Sequence, residues 1–355
     1  MHFLHVVGAR PNFMKVAPVM RALAARNGVR QTLVHTGQHY DQNMSEVFFR
    51  ELEISEPDFN LAVGSGTHAE QTGQIMLRFE PVVREHKPDR VLVYGDVNST
   101  IAAALVCAKL QIPVAHVEAG LRSFDRTMPE EINRLLTDQL ADLLFTPSQD
   151  GDRNLLREGV PRERIHFVGN VMVDTLVRLL PKAAAAGPEG LPGHYALVTL
   201  HRPSNVDDLS GLKSLLQALS GISATLPIIF PVHPRTRQKI AQLGFSHSDT
   251  LQLWEPQSYL LFLALQQKAT VVITDSGGIQ EETTFLGVPC LTLRDTTERP
   301  VTVSVGTNVI IGRDMNLLSR EVNAVLNGKR KQGGIPPLWD GRAAERIARV
   351  LEEGA

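Results

Sequence analysis

The sequence predicts an α/β protein made of two doubly wound domains of parallel strands. Three observations point there. Short aliphatic runs alternate with longer segments of helical spacing, which is the pattern of strand–helix–strand units. Run after run ends in Gly, Asp, Glu or His, and open α/β sheets bind ligands at the carboxyl ends of their strands. A Pro-, Gly- and Ala-rich stretch, residues 181–190, interrupts the alternation near mid-chain. The 355 residues are enough for two domains at ~150 residues each. The expected organisation is a first domain over 1–180, a linker over 181–194, a second domain over 195–338, and a final helix over 339–355 that crosses back to the first domain.

The first domain opens with a strand at residues 3–7, a turn Gly8-Ala9-Arg10-Pro11, and a helix from Phe13 with Val16, Met20 and Leu23 on one face. A helix start after a glycine turn offers free N–H groups to an anion. Arg10 and Lys15 sit there, where cations oppose the helix dipole, so they read as phosphate or diphosphate ligands. The Gly-x-Gly-x-x-Gly dinucleotide fingerprint is absent. A strand at 29–36 leads into Gly37-Gln38-His39; His39 is either a site residue or a solvated loop histidine. Thr67 and Glu70 form a capping box for a helix running to His86, stopped by Pro88. The strand at 91–94 delivers Gly95-Asp96, and Asp96 is either a functional carboxylate or a helix cap. Strands at 143–146 and 165–168 follow, and Gly169-Asn170 starts another helix.

The richest stretch is His116-Val117-Glu118-Ala119-Gly120-Leu121-Arg122, continuing through Pro129-Glu130-Glu131-Ile132-Asn133-Arg134. Residues 112–117 read as a buried strand, with Glu118 at its carboxyl end. Pro129 opens a helix at its first position. The bland alternative has Glu130 and Glu131 complementing the helix dipole, and Glu118 pairing with Arg122 in a loop salt bridge. The functional alternative makes Asp96, Glu118 and Glu130 a cluster of acids with arginines around it.

The second series begins with the strand at 196–200, ending in His201-Arg202. A strand at 228–232 ends in His233, and one at 271–274 ends in Asp275-Ser276-Gly277-Gly278. A hydroxyl and two glycines at a helix start let backbone approach an anion closely. Glu282 lies about one turn into that helix, within reach of ribose hydroxyls. A strand at 290–293 leads to the polar loop Arg294-Asp295-Thr296-Thr297-Glu298-Arg299, and a helix is expected over 339–353. Two such domains flanking a cleft are the GT-B arrangement of many nucleotide-sugar enzymes.

Composition excludes other classes. Net charge is −2, so there is no basic field for nucleic acid, and aromatics at 5% leave few base-stacking platforms. Hydrophobic content of 43% and charged content of 21% are ordinary for a soluble globular chain. The two cysteines, Cys107 and Cys290, have neither disulfide nor metal-ligand spacing, which fits a reducing cytoplasm and no metal. No apolar run spans a membrane, and the first residues read as a strand rather than a signal peptide.

Taken together, these motifs resemble the non-hydrolysing UDP-N-acetylglucosamine 2-epimerases over essentially the whole length. The resemblance rests on Gly8-Ala9-Arg10-Pro11 with Lys15, Thr36-Gly37-Gln38-His39, Gly95-Asp96-Val97-Asn98-Ser99, and the Glu118 and Glu130 stretches. In the second half it rests on Thr199-x-His201-Arg202, Asp275-Ser276-Gly277-Gly278-x-Gln280-Glu281-Glu282 and Thr297-Glu298-Arg299-Pro300. It implies a GT-B fold, a cytoplasmic homodimer, a UDP-sugar substrate, and no nicotinamide or other cofactor. It implies interconversion of UDP-GlcNAc and UDP-ManNAc through loss and return of UDP across 2-acetamidoglucal. The implied acids are Asp96, Glu118 and Glu130, and the implied nucleotide contacts are Arg10, His201, Ser276, Gly277, Glu282 and Arg299. Lys15, Arg202 and Gly278 join the substrate-binding set, with His39, Arg122 and His233 as additional candidates. Three positions depart from the pattern: Asn12 stands where many members have Glu, Val301-Thr302 follows Pro300 where many have an acid, and the glutamine spacing after Gln38 differs. Related enzymes act on UDP-diacetamido-uronic acids. A GT-B glycosyltransferase, a UDP-sugar sensor and a hydrolysing epimerase are the alternative functions.

Overall fold

In a computed structural model, residues 1–38, 51–246 and 248–353 are described. His39 lies outside them. The chain divides into two compact units: Met1–Val177 with Pro337–Ala355, and Arg178–Pro336.

The first unit holds seven parallel strands: β1 (His2–Val7), β2 (Arg30–His35), β3 (Phe59–Asn60), β4 (Arg90–Tyr94), β5 (Val114–Val117), β6 (Leu143–Thr146) and β7 (Ile165–Phe167). Their order across the sheet is β3-β2-β1-β4-β5-β6-β7. The central strands are aliphatic and buried on both faces, as a sheet covered by helices requires. The helix His68–His86 begins at Thr67, whose hydroxyl accepts from the Glu70 N–H, and stops at the left-handed Lys87 just before Pro88. The helix Asn98–Lys109 is apolar nearly all round and is buried along most of its length.

Two elements differ from expectation. Residues 181–186, expected in the linker, continue the helix Val171–Ala186, and the boundary between units falls inside that helix. The alanine run has the highest helix propensity, which offsets the one hydrogen bond lost at Pro181. The final helix spans Ala343–Glu353 and does not include Trp339. Its first N–H groups are capped by Asp174 from a distant helix, with Ala343 N and Ala344 N donating over 3.1 and 2.7 Å. Trp339 instead lies buried ahead of it, its indole N–H donating to the Pro147 carbonyl at 2.8 Å.

The second unit holds six parallel strands: β8 (Ala196–Thr199), β9 (Ile228–Pro231), β10 (Leu251–Trp254), β11 (Val271–Thr274), β12 (Cys290–Thr292) and β13 (Asn308–Ile310). Their order is β10-β9-β8-β11-β12-β13. Val198, Ile228, Phe230, Val271 and Ile273 pack with Leu216 and Leu219 of the helix Leu209–Ser223 to form its core. In both sheets the winding reverses between the first strand and its later neighbour, β1 beside β4 and β8 beside β11. Ligands of doubly wound sheets bind at such reversals, outside the carboxyl ends. Among the described residues no helix is long and apolar enough to cross a membrane.

Two buried histidines of the first sheet make the fold acid-sensitive. Burial pushes both His5 and His35 down to about 4. His5 accepts from the Tyr94 hydroxyl at 2.7 Å and donates to Gln31 Oε1 at 3.0 Å, a pairing that suits the neutral ring. The unfolded chain takes up their protons near pH 6.5, so stability is full above that pH and falls as pH drops towards 4. The loss is on the order of 3 kcal/mol for His5 by pH 4. Asp174 acts with opposite sign: burial raises it to about 6, so its contribution falls as pH climbs from about 4 to 6. Thermal melts of wild type and His5→Gln should therefore diverge between pH 6.5 and 4.5, with the variant's melting temperature falling less steeply. Parallel curves would remove His5 as a cause.

Candidate active site

In the first unit two of the predicted acids, Asp96 and Glu118, stand at the carboxyl edge of the sheet. Glu118 directly follows β5 and has φ +76°, a left-handed conformation that costs a non-glycine residue about 1–2 kcal/mol. Its N–H and that of Ala119 both donate to the Phe145 carbonyl of β6, at 3.1 and 3.0 Å, which fixes the exit. Strain of this kind gathers at functional sites. The Glu118 carboxylate meets the Lys15 ammonium at 2.8 Å, with the two side chains 5% (Lys15) and 3% (Glu118) exposed. Gly95, at φ +66°, makes this possible, because a Cβ there would overlap Lys15 Nζ.

Asp96 follows Gly95 and is 23% exposed. Its carboxylate accepts from Arg134 at 2.5 Å, and its carbonyl accepts from Asn133 Nδ2 at 2.9 Å. Glu130 is half-buried on the first turn of the helix Pro129–Leu140. Its neighbour Glu131 is a structural residue. It accepts from Ser123 N, Phe124 N and Arg134, and these bonds outweigh burial and hold it below the usual carboxylate range. Arg122 does not pair with Glu118. It is buried and donates to Glu158, Asp138 and the Leu121 carbonyl. Arg10 opens the first helix; its side chain lies outside the described detail. Asn12, the departure from the family pattern, is buried. It accepts from Gly8 N and Ala9 N and donates to the Tyr94 carbonyl, so it ties the first turn to the end of β4.

In the second unit His201 follows β8 and is half exposed, with Nδ1 2.9 Å from Asp275. Asp275 also accepts from the N–H groups of His201 and Arg202 and from Asn205 Nδ2. Burial works to raise its pKa, and these donors outweigh it. Ser276 and Gly277 begin the helix Gly277–Leu286; among the described residues no side chain caps that start, which leaves its N–H groups for an anion. Gly277 leaves room for the Arg299 guanidinium, which pairs with Glu281 at 2.9 Å and with Glu298. Glu282 is buried, accepts from Tyr259 and Gln266, and is raised by burial despite them. His233 is exposed and caps the helix Pro234–Gln242 by accepting from Arg235 N. Burial pushes the Cys107 thiol up to about 12 and Cys290 up to about 11, so neither is a ready nucleophile.

Sequence reasoning did not select Asp275 or Arg134, which hold His201 and Asp96. Both lie inside motifs that carried signal, and Asp275 sits at a strand end like the chosen acids. The partner each one meets was hidden.

Comparison with known proteins shows the family. Residues 21–352 match the family described as UDP-N-acetylglucosamine 2-epimerase. The chain is 43% identical over 362 residues to the UDP-N-acetylglucosamine 2-epimerase of Methanocaldococcus jannaschii, covering 98% of each. It is equally 43% identical over 356 residues to the UDP-2,3-diacetamido-2,3-dideoxy-D-glucuronate 2-epimerase of Pseudomonas aeruginosa, covering 99% of each. The crystal structure of the M. jannaschii UDP-GlcNAc 2-epimerase in complex with UDP-GlcNAc and UDP matches with a TM-score of 0.91 at 43% identity, over 100% of both chains. Similar over nearly its whole length in sequence and in fold, the chain belongs to the UDP-N-acetylglucosamine 2-epimerase family of isomerases.

Proposed function

We propose that the protein interconverts UDP-GlcNAc and UDP-ManNAc by eliminating UDP from carbon 1 and the proton from carbon 2 to give 2-acetamidoglucal, then adding UDP back at carbon 1 while a proton returns to the opposite face of carbon 2. The observation carrying this is the full-length likeness to an epimerase structure that holds UDP-GlcNAc and UDP. The chemistry follows from the substrate. The proton on sugar carbon 2 has no adjacent carbonyl, so a carboxylate does not remove it unaided at neutral pH. Departure of the diphosphate from carbon 1 runs ahead and leaves oxocarbenium character. Negative charge then builds on UDP and positive charge on the sugar. Arg10, Lys15, His201, Arg202, Arg299 and the helix start at Ser276-Gly277-Gly278 suit the first, and Glu282 suits the ribose. Asp96, Glu118 and Glu130 suit the second, and one of them exchanges the proton. The test is incubation with UDP-GlcNAc in D2O followed by proton NMR. Deuterium at carbon 2 of UDP-ManNAc is expected. Free ManNAc would mean a hydrolase, and no epimer at all would mean a transferase or sensor.

A second reading keeps the reaction and changes the sugar. The identity to the P. aeruginosa relative equals that to the M. jannaschii enzyme, and it supports a UDP-diacetamido-uronic acid as substrate to the same degree. Comparing kcat/KM for the two nucleotide sugars separates the readings.

For the nucleotide, Arg299→Ala and Glu282→Ala should each weaken UDP binding by roughly 1–3 kcal/mol, the scale of one charged hydrogen bond. Calorimetry showing unchanged UDP affinity in both would move the nucleotide site elsewhere.

A further inference from the structure

The first sheet buries two histidines completely, His5 and His116, and their partners differ in kind. His5 meets one donor and one acceptor. His116 meets two acceptors: Nδ1 lies 2.6 Å from Asp138 Oδ1, and Nε2 lies 2.8 Å from the Gly95 carbonyl. A carbonyl has no proton to give. Asp138 is committed as an anion through its other oxygen, which takes Arg122 Nη2 at 2.7 Å and Gly120 N at 3.1 Å. Arg122 is always charged, so its pairing with Asp138 favours the ionised carboxylate whatever the state of the ring. A neutral ring at 116 would aim a bare lone pair at a carboxylate or a carbonyl in a dry interior, an arrangement with no compensation.

We propose that His116 is a positioning residue carrying protons on both ring nitrogens, and that it holds the Gly95–Asp96 peptide in the pose that aims Asp96. Its charge is balanced within the fold. His116 and Arg122 supply two positive charges, Asp138 and Glu158 two negative ones, and Arg122 joins Glu158 at 2.8 and 2.6 Å. The buried network is thus neutral and hydrogen-bonded throughout, the condition under which buried charge is tolerated. Asp96 is then gripped at three points by one helix, Pro129–Leu140. Asn133 holds its carbonyl and Arg134 its carboxylate. Asp138, acting through His116, holds the carbonyl just before it. The role rests on the proposed function of Asp96, while the charge state does not.

The experiment uses the wild-type protein with 15N-labelled histidine. A long-range 1H–15N correlation at pH 8 should show one of the twelve histidines with both ring nitrogens protonated. That signal should be missing in His116→Gln, or displaced in Asp138→Asn if the Gln variant does not fold. One bare and one protonated nitrogen on His116 would overturn the proposal. In kinetics, His116→Gln should lower kcat by about 10–100-fold, the scale of a small misplacement of a reacting group, with KM and UDP affinity nearly unchanged. The double variant with Asp96→Asn should then lose little more than Asp96→Asn alone. Additive losses would overturn the link to Asp96. Normal turnover in Asp96→Asn would sink the proposed catalytic role itself and leave the ring's charge to be decided by the NMR.

Discussion

Glu118→Gln lowers turnover by at least ~10²-fold, the lower range for a positioned general acid or base, and leaves UDP affinity close to wild type. The side chain keeps its shape and its amide oxygen still accepts from Lys15, so the site keeps its geometry, at the cost of leaving a buried ammonium without its counter-charge. What is lost is one negative charge facing Lys15 and one proton acceptor at a strained strand exit. Asp96→Asn and Glu130→Gln are expected to act in the same direction. If diphosphate departure leads, a variant still expels UDP while failing to return the proton. It then leaks 2-acetamidoglucal and free UDP in place of epimer. Product analysis after long incubation, beside a UDP titration, reads both effects. Near-normal epimerisation in all three variants would make these carboxylates structural.

Arg134→Met destabilises the first unit by about 3–5 kcal/mol, the cost of removing one partner from a buried ion pair. The guanidinium is buried, holds Glu131 at 2.7 Å and also carries Asp96. Without it the Glu131 carboxylate keeps only its bonds to Ser123 and Phe124. Urea unfolding should show a lower midpoint, and adding Glu131→Gln to the variant should recover part of the loss. A midpoint within error of wild type would mean that water replaces the guanidinium.

The fold was legible where hydrophobic burial writes a long enough pattern. β1, β4, β5, β8 and β11 are aliphatic runs buried on both faces, and Thr67 with Glu70 marks a helix start that the structure reproduces. The strands missed are three of the four edge strands: β3 has two residues and β13 three, while β10 is half-exposed along most of its length. Too little of them is buried to impose a period. The end of the helix Val171–Ala186 was misread because proline and glycine nearby masked good helix-forming alanines. The candidate site was legible as positions, since strand ends followed by Gly, Asp, Glu or His are visible in one dimension. Its pairings were not. Lys15 meets Glu118 across 103 residues and Arg134 meets Asp96 across 38, and only the sheet order brings them together. The bland alternative, a Glu118–Arg122 pair, is excluded by the same long-range pairing. Local proximity favoured it, yet the chain turns at Gly120 and Arg122 goes to Asp138 and Glu158.

The return of residues 337–355 to the first unit has a consequence for how the protein is made. Gly169 has φ +87° and lies so close to the Leu338 carbonyl that a Cβ would overlap it, and Trp339 is sealed against Pro147. The unit bearing the carboxylates therefore lacks a wall until residues 337–355 have been made. At ~5–20 residues per second, synthesis of the intervening second unit takes roughly ten to thirty seconds. During that time the nascent first sheet waits with an apolar flank uncovered, a natural client for a chaperone. A chain stopped just after its second unit would carry every candidate site residue and still lack the stretch that closes the first.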